Sequence, residues 1–123
     1  MAKRILIADD EPNIVLSLEY LMRQRGYTVT TARDGDEALA AVDAETPDLV
    51  LLDVMMPRKD GYQVCQLLRE RSDLADMRII MLTAKGREVE REKGLSMGAD
   101  DYITKPFATQ DVVNRVVAML ESS

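Results

Sequence analysis

Three acidic positions, a hydroxyl and an ammonium stand out in this chain, because each lies at the end of an apolar run that reads as a strand. Asp53 follows Leu49, Val50, Leu51 and Leu52, and Pro57 soon forbids further pairing. Asp9 and Asp10 close RILIADD, Thr83 closes RIIMLT, and Lys105 closes DYITK. A carboxylate can act as a nucleophile towards phosphorus, giving an aspartyl phosphate, so Asp53 is expected to accept a phosphoryl group. Three carboxylates brought together repel one another and need compensating positive charge. Mg²⁺, which prefers hard oxygens and a substrate phosphate, would supply it together with the Lys105 ammonium. Asp9, Asp10 and Asp53 are the expected metal carboxylates, with the backbone carbonyl of Met55 as a further oxygen. In phosphoryl transfer, catalysis is mostly positioning and charge stabilisation. Thr83 can donate to one phosphoryl oxygen and Lys105 can pair with another, while Ala84, being small, leaves the approach open. Pro106 biases Lys105 towards extended backbone. Taken singly, each residue has a plain structural use: a turn aspartate, a helix-capping acidic pair, a β-branched strand residue, a Lys-Pro surface turn. Their joint placement at successive strand ends favours the chemical reading.

That placement depends on the elements. Residues 4–9, 27–32, 49–53, 78–83 and 101–104 read as strands. Pro12 opens a first helix to about Arg25, and Gly26 ends it. Asp34-Gly35-Asp36-Glu37 resembles a capping box before a short second helix carrying Ala38, Leu39, Ala41 and Val42. Residues 57–60 form a polar loop closed by Gly61. A third helix runs to about Arg71 with Val64, Cys65, Leu67 and Leu68 inward. Residues 86–97 are expected to be helical but carry a thin apolar stripe, Val89 and Leu95, and Gly98 suits the position after a helix end. Thr109 is expected to cap the last helix, whose Val112, Val113, Val116, Val117 and Leu120 face the core. Strands alternating with helices imply an α/β fold, a flavodoxin-like (βα)5 sandwich. Its parallel sheet would take the order 2-1-3-4-5, with the switch point between strands 1 and 3.

The bounds agree with this reading. With 123 residues, 46% of them hydrophobic, the chain suffices for one domain, 1–123, and no run approaches a membrane span. Met-Ala-Lys-Arg leads straight into the first strand without room for a signal peptide, and the lone Cys65 cannot form an internal disulfide; the expected location is cytoplasmic. A net charge of −6 argues against nucleic-acid binding by this chain. The absence of histidine removes Ser-His and Cys-His catalysis, most zinc sites and phosphohistidine chemistry within the chain.

The motifs Asp9-Asp10, Asp53 in DVMMPRKDG, Thr83-Ala84 and Lys105-Pro106-Phe107, in this order and spacing, resemble the receiver domain of bacterial two-component response regulators. The resemblance covers essentially the whole chain. It implies that Asp53 is phosphorylated by a sensor histidine kinase or histidine phosphotransfer protein, with Asp9 and Asp10 holding Mg²⁺ and Met55 lending its carbonyl. It implies further that Thr83 and Lys105 contact the phosphoryl group, that Tyr102 is an aromatic switch residue, and that the Lys105–Pro106 bond is cis. The domain would catalyse only its own phosphorylation and slow dephosphorylation. The stretch from Gly94 to Phe107 looks most like receivers that precede a winged-helix DNA-binding domain. The chain stops at Glu121-Ser122-Ser123, so a stand-alone regulator and a receiver excised from a longer one, with a separate or missing effector, both stay open.

Those winged-helix-linked receivers dimerise through the face of the fourth helix, fifth strand and fifth helix. Here that face would carry Arg91, Leu95, Asp101, Asp111 and Arg115, although Asp111 and Arg115 are four apart and could simply pair with each other. Two other functions compete. A flavodoxin-like FMN electron carrier would need a Ser/Thr/Gly-rich phosphate loop where Asp9-Asp10-Glu11 stands. A Mg²⁺-dependent aspartyl phosphatase would need a second Asp where Met55 stands. A colourless protein counts against the first, and failure to turn over an added phosphate ester against the second.

Overall fold

The structure is a computed structural model that describes residues 3–84 and 98–121. Five strands form one parallel sheet: β1 (Arg4–Ala8), β2 (Thr28–Ala32), β3 (Leu49–Asp53), β4 (Arg78–Ala84) and β5 (Asp101–Lys105). The helices are α1 (Pro12–Gln24), α2 (Gly35–Ala44), α3 (Gly61–Arg69) and α4 (Thr109–Glu121), with a short 3-10 turn at Ser72–Leu74. The strand order is β2-β1-β3-β4-β5, the flavodoxin-like order that the alternation of strands and helices implies. The expected helix over 86–97, with Arg91 and Leu95, lies outside the described residues.

Strand side chains alternate between two cores, as a sheet covered on both faces requires. Leu6, Ala8, Val50, Leu52, Ile79 and Met81 pack with Ala38 and Val42 of α2 and Val64, Cys65 and Leu68 of α3. Ile5, Ile7, Leu49, Leu51, Ile80 and Leu82 pack with Leu18 and Met22 of α1 and Val112, Val113 and Val116 of α4. All of β3 is buried, which explains its unbroken apolar run. Truncating one of these side chains, Leu51→Ala for example, would cost about 2–5 kcal/mol by the usual large-to-small range.

Local signals account for most helix ends. Pro12 occupies the first position of α1, and Gly26 follows its end at φ +91°. Asp34 caps α2 by accepting from the Glu37 N–H at 2.8 Å, but Glu37 reaches back to the Arg33 N–H rather than to Asp34. The complete capping box belongs to α3, where Asp60 and Gln63 each accept the other's backbone N–H. Leu67, expected to face inward, is exposed on α3 while Val64, Cys65 and Leu68 are buried, and two helix ends also shift. The third helix ends at Arg69, two residues early, as the chain turns into the 3-10 segment. Thr109 is the first residue of α4 rather than its cap, and the Ala108 carbonyl accepts the first bonds, from Asp111 and Val112.

Candidate functional site

The strand order reverses between β1 and β3, so the loops leaving their carboxyl ends part and open a crevice. β1 ends at Ala8 and delivers Asp9, whose N–H still bonds to the Ala32 carbonyl (3.0 Å). β3 delivers Asp53 as its last residue, level with Leu82 of β4, and the next N–H, of Val54, continues the ladder to the Leu82 carbonyl. Thr83 follows one step along β4, opposite Thr104, and Lys105 ends β5 opposite Ala84. Asp9, Asp53 and Thr83 are the buried polar residues among those described.

Three carboxylates converge here. Asp9, Asp10 and Asp53 each offer an oxygen, and these oxygens lie within 4.8 Å of one another, two from buried side chains and one from the exposed Asp10. The Lys105 ammonium sits among them, 2.9 Å from Asp9 Oδ2 and 3.4 Å from Asp53 Oδ2. Asp9 Oδ1 accepts the Glu11 N–H at 2.9 Å, and Asp53 Oδ1 accepts the Met55 N–H at 3.2 Å. Asp9 Oδ2 is wholly buried and, apart from its ion pair with Lys105, receives no aligned hydrogen bond.

The electrostatics follow from this crowding. Burial first, then the charge of Asp9, raises the Asp53 carboxyl from its ordinary 3.8 to about 7, against the opposing pull of Lys105 and the Met55 N–H. Burial pulls the Lys105 ammonium down, but its contacts with Glu11 and Asp9 and the charges of Asp53 and Asp9 outweigh it and hold the group above its ordinary range.

Two glycine contacts fix the loop that follows Asp53. A Cβ on Gly61 would stand 2.3 Å from the Asp53 carbonyl oxygen, so the start of α3 packs directly on the end of β3. A Cβ on Gly35 would stand 2.2 Å from the Lys59 carbonyl oxygen, which ties the start of α2 to the same loop. A cavity of about 770 Å³ opens from the crevice between α1 and the β5–α4 connection; Asp53, Lys105, Ile14 and Phe107 are among its walls.

The structure thus brings together Asp9, Asp10, Asp53 and Lys105 in one crevice, with Thr83 at the neighbouring strand end. Met55 follows in the loop, its side chain largely exposed. Tyr102 is half-buried against the core shared with α2 and α3. The Lys105–Pro106 bond is cis, as the resemblance implied. Away from the crevice, Arg115 on α4 pairs with Asp101 on β5 at 2.6 Å, not with Asp111 one turn earlier. Sequence reasoning missed one neighbour. Glu11, which the sequence brought in only as part of the Asp9-Asp10-Glu11 stretch, pairs with Lys105 at 2.8 Å. Its adjacency to Asp9-Asp10 was the available signal.

Comparison with known proteins agrees with this architecture. Residues 5–117 match the family model described as the response regulator receiver domain. The alkaline phosphatase synthesis transcriptional regulatory protein PhoP of Bacillus subtilis is 49% identical over 123 residues, covering 100% of this chain and 50% of that protein. The chain therefore spans about half the length of this curated relative. The receiver domain of the Francisella response regulator 1452 superposes with a TM-score of 0.88 at 31% identity, over 97% of each chain. The BeF3-activated DrrB receiver domain does so with a TM-score of 0.88 at 34% identity, over 98% of this chain and 99% of that one. With the family model covering nearly the whole chain and the sheet order and crevice in agreement, this chain belongs to the response regulator receiver domains.

Proposed function

We propose that Asp53 is the phospho-acceptor of this receiver and takes its phosphoryl group from a sensor histidine kinase or a histidine phosphotransfer protein. The observation that carries the reading is the convergence of Asp9, Asp10 and Asp53, with Lys105 bridging Asp9 and Asp53, at the point where the strand order reverses. A carboxylate oxygen of Asp53 attacks phosphorus, the bond from phosphorus to the donor breaks, and the donor leaves with its electron pair. Lys105 pairs with a phosphoryl oxygen, and Thr83 donates its hydroxyl to another. The donor set fits Mg²⁺: it is all oxygen, and the buried Asp9 Oδ2 lacks an aligned hydrogen bond. Asp9, Asp10, Asp53 and the Met55 carbonyl would hold the ion, which supplies charge neutralisation for the transferring phosphoryl group.

Chemistry in this reading is confined to the domain's own phosphorylation and slow hydrolysis. Switching runs from Asp53 through Thr83 to Tyr102, so that the face bearing Asp101, Asp111 and Arg115 changes its fit to an output partner, an effector domain or a second copy of the chain. Among the described residues no helix is long and apolar enough to cross a membrane, which accords with a cytoplasmic site of action. Incubation with Mg²⁺ and acetyl phosphate, followed by intact-mass measurement and peptide mapping, tests the assignment. One added phosphoryl group on the peptide containing Asp53 is expected. A mapped phosphate elsewhere, or no Mg²⁺ requirement, overturns it.

A further inference from the structure

Glu11 has a side chain that its local position does not explain. It is the residue before α1, where Ser, Thr, Asp and Asn serve as caps, yet its carboxylate makes no capping bond to the helix. Instead Glu11 Oε1 accepts from Lys105 Nζ at 2.8 Å, across 94 residues of chain. An ammonium has three N–H donors. In the crevice they face three carboxylates: Glu11 at 2.8 Å, Asp9 at 2.9 Å and Asp53 at 3.4 Å. The longest approach is to the residue that would react. Of these contacts the one to Glu11 is an aligned hydrogen bond, so a phosphoryl oxygen on Asp53 would be a fourth anionic claimant on an ammonium already directed at Glu11.

We propose that Glu11 is a positioning residue that competes for the Lys105 ammonium with the group arriving at Asp53, so that the lysine contact to that group forms at the expense of the Glu11 pair. The inference rests on the assignment of Asp53 as phospho-acceptor. Burial selects which partner yields. Asp9 is fully buried, so water cannot take over its oxygen when the lysine leaves, and only a second cation could. The Glu11 side chain is 56% exposed, so water takes over its oxygens when the lysine leaves. Glu11 therefore holds the lysine at the crevice mouth at rest and gives it up at little cost. It also weakens the loaded state by the worth of the pair it must surrender.

The test uses beryllofluoride with Mg²⁺ as the phosphoryl mimic, titrated into the whole protein and followed by fluorine NMR. Glu11→Gln removes the competing charge. Glu11→Asp keeps the charge but shortens its reach by one methylene, which separates competition for the lysine from general repulsion of an anion. Both variants are expected to bind the mimic about two- to five-fold more tightly, the range that a partly exposed ion pair converts to. Urea unfolding without the mimic checks that the fold is retained. Tighter binding in Glu11→Gln alone, or unchanged binding in both, overturns the inference while leaving Asp53 as acceptor. If peptide mapping of the unmutated protein places the phosphate away from Asp53, the underlying assignment falls and the inference falls with it.

Discussion

Replacing Asp53 by Asn should make the metal-free protein more stable, although it removes the residue on which the proposed activity depends. Asp53 is almost wholly buried, and its carboxyl is raised from 3.8 to about 7 by burial and by Asp9. A carboxyl with a raised native pKa favours folding fully below its unfolded value and loses that contribution as pH rises through the native value. Between about pH 4 and pH 7 the unfolded chain holds Asp53 ionised while the native crevice still resists ionisation. At about 1.4 kcal/mol for each tenfold change in proton affinity, moving from 3.8 to about 7 corresponds to about 4 kcal/mol of native-state penalty once the group is ionised. Asn is nearly isosteric and carries no charge, so it should recover much of this. The expected gain is about 2–4 kcal/mol at pH 8 and below about 2 kcal/mol at pH 5, where the native carboxyl is still protonated. Urea unfolding in EDTA at low ionic strength, at both pH values, measures it as a shift in midpoint at constant slope. Saturating Mg²⁺ should shrink the gain, because the ion stabilises the unmutated crevice. An Asn variant no more stable than the parent at pH 8, or a gain indifferent to pH, would refute the electrostatic account of the crevice.

Four other outcomes are expected. Mg²⁺ should raise the melting temperature at low ionic strength, by about 2.7 kcal/mol of stability at a hundred times its dissociation constant; Asp10→Ala should weaken that response, and an unchanged response would remove Asp10 from the ligand set. Gly61→Ala drives a Cβ to 2.3 Å from the Asp53 carbonyl oxygen, which outweighs the small helix propensity gained at this first helical position, so a net loss of about 1–3 kcal/mol is expected in urea unfolding. A variant as stable as the parent would show that the loop yields. Amide exchange with and without beryllofluoride should change in β5 around Tyr102, and changes confined to α2 would contradict a route through Thr83 and Tyr102. Light scattering over a range of concentrations, with and without beryllofluoride, should reveal a weak, salt-sensitive dimer that Arg115→Glu abolishes, since exposed ion pairs contribute only about 0.2–1 kcal/mol each. A dimer indifferent to Arg115→Glu would assign the face bearing Asp101 and Arg115 to another partner.

The fold was largely legible in the sequence because its determinants are local. The unbroken run Leu49–Leu52 demands a strand covered on both faces, Pro12 suits a helix start, and Gly26 takes the positive φ that follows a helix end. Five such strands alternating with helices leave few topologies, since parallel crossovers are right-handed. The topology in turn carries Asp9, Asp53, Thr83 and Lys105 to one edge without any knowledge of their side-chain contacts. Pairings between charges were decided only by the tertiary structure. Arg115 could reach Asp111 one turn away or Asp101 on the neighbouring strand, and it takes Asp101. Arg69 anchors the approach to β5 by donating to the Gly98 carbonyl and to Asp100. Glu11 meets Lys105 across 94 residues. Side-chain period specifies which face a residue occupies, whereas long charged side chains choose among several partners on that face. That choice depends on distances and burial that exist only once the strands have docked. Gly61 shows the same division: the residue type marks a turn, but the 2.3 Å approach to the Asp53 carbonyl arises only when α3 closes onto the end of β3.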